Sequence, residues 1–173
     1  MLRINLFIKK VNNSKAFSVL EMIIAIAIIS IGLLGLVSLG TQNTRVGYIN
    51  KNSLTASMLA QEGLELVRNN RDNNWRSVVA SWSNNLIGDG DYVVDYTGFL
   101  DDSVDNIDEP GARLYLDSNG FYVHNNTGKS TPFFRLITVV DKVDYIIVLS
   151  QVKWAEGSNI HTYTAETRLY NWW

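Results

Sequence analysis

The chain has 173 residues, of which 46% are hydrophobic and 18% charged, with two prolines and no cysteine. That length suits one ordinary domain plus a membrane segment, the composition leads us to expect a folded protein rather than a disordered tail, and the lack of cysteine excludes a disulfide, a thiolate metal site and a cysteine nucleophile. The formal charge of −2 hides an asymmetry: Arg3, Lys9, Lys10 and Lys15 precede every acid, so beyond residue 16 the acids outnumber the bases and offer no basic surface for bulk nucleic-acid binding.

Residues 19–39 are almost wholly apolar. As a helix they rise about 30 Å, enough to cross a bilayer core. Four basic residues and no acid precede this stretch, which predicts a single span with residues 1–16 in the cytoplasm and everything after Gly40 outside. A secretory signal peptide cut after Ala25-Ile26-Ala27 is the alternative, but the apolar run continues well past that tripeptide.

Glu21 is the one acid inside the stretch. A carboxylate at the centre of a membrane helix costs roughly 2.5–3.5 kcal/mol and calls for a compensating partner. Lys15 is the nearest upstream cation, and its stem could snorkel to the interface. A cut just before Phe17 would supply another, an α-amino group four residues from Glu21 and one helical turn away. If Glu21 instead lies shallow in the headgroup region, it needs no partner.

The run Lys15-Ala16-Phe17-Ser18-Val19-Leu20-Glu21 resembles the processing motif of type IV prepilins. The resemblance implies cleavage after Ala16, where that family usually has Gly, by a membrane-embedded prepilin peptidase that then N-methylates Phe17. It also implies that Glu21, at the fifth mature position, pairs with the N-terminal amine of a neighbouring subunit in a filament core. Such a pair is favourable when complete and costly when broken, so it would set the register between subunits.

Beyond Gly40, Ala56, Leu59, Ala60, Gly63, Leu64 and Val67 share one face at helical spacing. One long helix is therefore predicted from about Ser18 to about Asn70, with a transmembrane half over 17–40 and an amphipathic half over 41–72. Gly32, Gly35 and Gly40 interrupt it, as close-approach points for other helices, as a stretch that loosens on assembly, or as ordinary membrane-helix glycines. The polar run over 69–74 is expected to end the helix and open a loop region, 73–112. Trp75 and Trp82 in that region are read as cover for a helix–sheet edge, with a filament contact as the alternative.

A hairpin is predicted over 113–116 and 121–124, with Asn119-Gly120 in its turn. Strands follow at 133–140, 145–154 and 162–170. In the last of these Tyr163, Ala165, Thr167 and Leu169 alternate with polar residues, the pattern of a half-buried antiparallel sheet over 113–173. The amphipathic helix is the available cover, which makes the fold class α+β, a helix packed on an antiparallel sheet; the resemblance implies the same roll.

Chemistry-bearing motifs are few. His124 and His161 sit in predicted strands without a surrounding motif, and no nucleophile elbow, phosphate-binding glycine loop or zinc-protease helix is present. No catalysis and no cofactor are expected. The acids Asp101, Asp102, Asp105 and Asp108 are the candidate calcium ligands, although an EF-hand loop read from Asp101 fails, with Asn106 at the glycine position and Ala112 at the bidentate position. A minor pilin or pseudopilin of a pilus, secretion or competence filament is the expectation. Its partners would be prepilin peptidase, other pilins or pseudopilins and the inner-membrane assembly platform. The alternative is a membrane-tethered extracytoplasmic binding module with an uncleaved anchor.

Overall fold

The structure is a computed structural model that describes residues 18–77, 81–84, 86, 89–142 and 144–171. The leader, Ala16 and Phe17 lie outside the described residues, as do Trp172 and Trp173. The chain divides into two compact units, Met1–Arg45 and Val46–Trp173.

Helix α1 (Val19–Arg76) contributes to both units. In the first unit its side chains are exposed from Val19 through Leu39, as an apolar surface facing lipid or other helices requires. Hydroxyls in this part fold back onto the helix, with Ser30 Oγ donating to Ile26 O at 2.7 Å and Thr44 Oγ1 to Gly40 O at 3.0 Å. Their polarity is thereby satisfied within the helix itself.

In the second unit α1 buries Ala56, Leu59, Ala60, Gly63, Leu64 and Val67, the predicted stripe, and adds Arg71 one turn further on. The expected stop in residues 69–74 is overturned: these residues are helical and α1 ends at Arg76. Tertiary contacts override their weak helix propensity. The Asn70 amide donates to Gly98 O (2.6 Å), and that of Asn74 to Asn84 O (2.7 Å) and Trp82 O (3.2 Å). Arg71 lies over the Trp75 ring and donates twice to Asp72, so its stem fills the next position of the stripe.

The sheet comprises β1 (Gly90–Val94), β2 (Leu100–Asp101), β3 (Arg113–Leu116), β4 (Tyr122–Val123), β5 (Lys129–Asp141), β6 (Tyr145–Glu156) and β7 (Asn159–Tyr170), all paired antiparallel. Strand β5 is central. Along one edge it pairs with β1 and β3, which carry the short β2 and β4; along the other it pairs with β6, and β6 with β7. The β3–β4 turn places Gly120 at φ 87 and is tied by Asp117, whose Oδ1 accepts from the backbone N–H groups of Asn119 and Phe121 at 2.8 Å each. β6 and β7 are joined by Gly157-Ser158, with Gly157 at φ 61.

One sheet face meets α1. Ala56, Leu59 and Ala60 pack with Leu114, Phe133, Val152 and Trp154, while Leu64 and Val67 pack with Ile137, Val139, Ile146, Val148 and Leu169. Trp82 covers the edge of this second cluster, in the role expected of it. The other face is wet along β7, where Thr162, Thr164, Glu166 and Arg168 are exposed. At β1 and β5, however, it is covered: Val104 and Ala112 from the acidic loop pack with Val93 and Leu136. The sheet is therefore two-sided at this end, because the acidic run carries apolar residues able to close a small second core.

Arg135 is wholly buried on the helix-facing side. Its guanidinium donates to Leu59 O of α1 (3.1 Å) and to Val94 O of β1, and Glu62 stands 3.6 Å away. Burial pushes its pKa down and Glu62 opposes that shift. Arg135→Lys keeps a charge but loses the fork that spans two carbonyls. It is expected to destabilise this unit by about 2 kcal/mol, read as a lowered midpoint in urea unfolding.

Candidate functional site

The first candidate site is the start of α1. Ser18 precedes the helix and caps it, with Leu20 N–H donating to Ser18 Oγ at 3.3 Å and Met22 N–H to Ser18 O at 3.1 Å. Glu21 is then the third helical residue, exposed and within the first turn. Ser18-Val19-Leu20-Glu21 therefore follows the capping-box spacing, and the helix dipole favours a carboxylate there. That signal was legible in the sequence, and reading Glu21 only as a misplaced charge overlooked it. Glu21 consequently has a local reason for its position, besides any pairing with an amine at Phe17.

Gly32, Gly35 and Gly40 sit in the uninterrupted helix, and a Cβ built at any of them meets nothing within 4 Å. The first unit thus presents an apolar helical surface broken by Cβ-free positions, of the kind that lets a second helix approach closely.

The second candidate is the acidic loop. Asp101 lies in β2 opposite Val93, and its Oδ1 accepts from Ser103 N–H at 2.9 Å. Asp108 forms an ion pair with Lys153 of β6. Asp102 and Asp105 are exposed, and among the described residues no three acidic or histidine side chains converge as a metal ligand set. The acids are thus divided between a turn cap, a tie across the sheet and open solvent.

The histidines differ from each other. His161 stacks on Trp154 with ring centroids 5.2 Å apart and stands 3.9 Å from Glu156. His124 is half-buried, with Nδ1 3.1 Å from Gly111 O, and its pKa is lowered to about 4 by burial and by the nearby Arg135 charge. Between pH 6.5 and about 4 the unfolded chain takes up a proton here that the folded chain refuses. This unit is therefore expected to lose stability as pH falls through that window, by up to roughly 3 kcal/mol. His124→Asn, unfolded in urea at pH 7 and pH 4.5, should lose less stability on acidification than the parent.

Comparison with known proteins adds one match. No curated protein and no solved structure matches the chain. A family model, the prokaryotic N-terminal methylation motif, matches residues 11–37, a span that contains Ala16, Phe17 and Glu21. The motif and the long apolar helix together fit a single-pass, membrane-anchored substrate of prepilin peptidase. The chain carries the prokaryotic N-terminal methylation motif over residues 11–37, which is the signature of type IV pilins.

Proposed function

We propose that this chain is a structural, non-catalytic subunit, a minor pilin or pseudopilin, of a type IV pilus-like or type II secretion or competence filament. Prepilin peptidase cuts it between Ala16 and Phe17 and methylates Phe17. The inner-membrane assembly platform then draws it, through α1, into a bundle with other pilins or pseudopilins, with the sheet unit outside the cytoplasm. The observation that carries this reading is Glu21, the only charged side chain in an otherwise exposed apolar stretch that falls inside the methylation motif. In a helix bundle that carboxylate is stable when an amine neutralises it, and cleavage before Phe17 would create one four residues away in sequence.

The Ser18 cap favours a second reading. If Glu21 acts only as the capping-box acid, the helix is a passive anchor and the sheet unit a tethered binding module. Fractionation of cells with and without prepilin peptidase separates the two. A filament subunit leaves the membrane pool for a high-molecular-weight assembly only when the peptidase is present. A passive tether stays in the membrane pool in both strains.

A further inference from the structure

Beyond the helix, the sheet unit carries a surface that filament assembly through α1 does not use. Two cavities, of about 330 and 380 Å³, lie side by side and share Phe99 as a common wall. Phe99 is 73% exposed, Tyr96 50% and Phe121 52%, and the Tyr96 and Phe121 rings lie 5.1 Å apart. Phe99 is thus an exposed ring on both hollows, and the Tyr96–Phe121 pair is joined to the first through Asp95, the chain neighbour of Tyr96, which lines it. Exposed aromatic rings of this kind mark an interaction site.

The charge on this surface has one sign. Asp95 and Asp101 line the first cavity and Asp102 the second, and among the described residues no Lys or Arg lines either. His124, also on the first cavity, is neutral at physiological pH because burial lowers its pKa to about 4. Arg135, whose charge acts on His124, is wholly buried and committed to Leu59 O, Val94 O and Glu62. In the second cavity the Asn70 and Asn74 amides already donate to backbone carbonyls, which leaves their side-chain oxygens as acceptors. The carboxylates do not converge as a metal cage. Their spread suits a planar, extended cation with several donors better than a point charge.

We propose that this aromatic and acidic surface docks an arginine-bearing extended segment of a partner protein, with guanidinium groups over Phe99 and the Tyr96–Phe121 pair and their N–H donors on Asp95, Asp101 and Asp102. Cation–π contact and charge-assisted hydrogen bonds act on the same group there, the combination in which arginine exceeds lysine. The inference is independent of the filament reading, since it concerns only residues of the second unit.

The test uses the full chain in non-ionic detergent and a fluorescent pentapeptide of alternating glycine and arginine, followed by anisotropy. Asp95 and Asp101 each cap a turn through Oδ1, so Asp95→Asn with Asp101→Asn removes the charges and keeps the capping acceptors. Saturable one-to-one binding is expected, several-fold tighter than for the lysine counterpart and weakened at least tenfold in this double variant and in Phe99→Ala. Glu166→Gln, on exposed β7, should leave binding unchanged. Equal weakening by Glu166→Gln would show bulk charge attraction and overturn the proposal. So would absence of saturable binding, or tighter binding of a neutral oligosaccharide or a glutamate pentapeptide.

Discussion

Glu21→Gln should be cut and methylated as the parent chain is, yet enter filaments poorly, with the assembled fraction reduced roughly 100-fold. The estimate follows from breaking a desolvated ion pair on one side, which costs about 3–5 kcal/mol, offset in part by what the uncharged side chain no longer loses in leaving water. Glutamine is the informative substitution because it still serves a capping box. If Glu21 acts only as partner to the Ser18 cap, Glu21→Gln assembles normally and only Glu21→Ala shows a defect, of about 1 kcal/mol in helix stability. The readout is the ratio of mature chain in pelleted filaments to mature chain in the membrane pool. Equal ratios for Glu21→Gln and the parent would remove the pairing role.

Gly63→Leu is the second change with a large expected effect, and it acts on the sheet unit. Gly63 lies directly against the sheet: a Cβ there would stand 2.6 Å from Ser150 Oγ, 2.8 Å from Ile137 Cδ1 and 3.3 Å from Arg135 Cδ. Ser150, Ile137 and Arg135 are all fully buried, so little free space lies around them to absorb the displacement. Overpacking of this kind costs about 2–3 kcal/mol and should lower the melting temperature of this unit by roughly 10 °C. Gly47, in the same helix, meets nothing within 4 Å. Gly47→Ala should therefore be neutral or stabilising by up to about 1 kcal/mol, since only helix propensity changes. Opposite signs at two glycines of one helix would attribute the Gly63 effect to packing; destabilisation at both would contradict that attribution.

The buried stripe of α1 was legible because apolar spacing near 3.6 residues is a local signal, and β7 was legible because alternation is one too. Where the helix stops was not legible. The run from Asn69 to Asn74 looks like a terminator on propensity, and only the carbonyls of Trp82, Asn84 and Gly98, 8, 10 and 28 residues further along the chain, turn its amides into helix supports. Arg135 was equally opaque: an arginine in an apolar strand reads as an edge residue until α1 and β1 bring two carbonyls to it. The acidic loop was read by its charges, whereas Val104 and Ala112 decide its position by closing a core on the second sheet face. At the candidate processing site the reverse holds. The spacing of Lys15, Ala16, Phe17 and Glu21 is a property of the sequence itself, and the family match falls on the same stretch.

Maturation at the N-terminus tests the pilin reading most directly. The chain should be extracted from a membrane with an active prepilin peptidase, and its intact mass and first residue determined. The account predicts a protein that lacks residues 1–16, begins with Phe17 and carries one additional methyl group on its terminal nitrogen. A chain that keeps residues 1–16 there, or that begins near Ile28 as a signal peptidase product would, contradicts it.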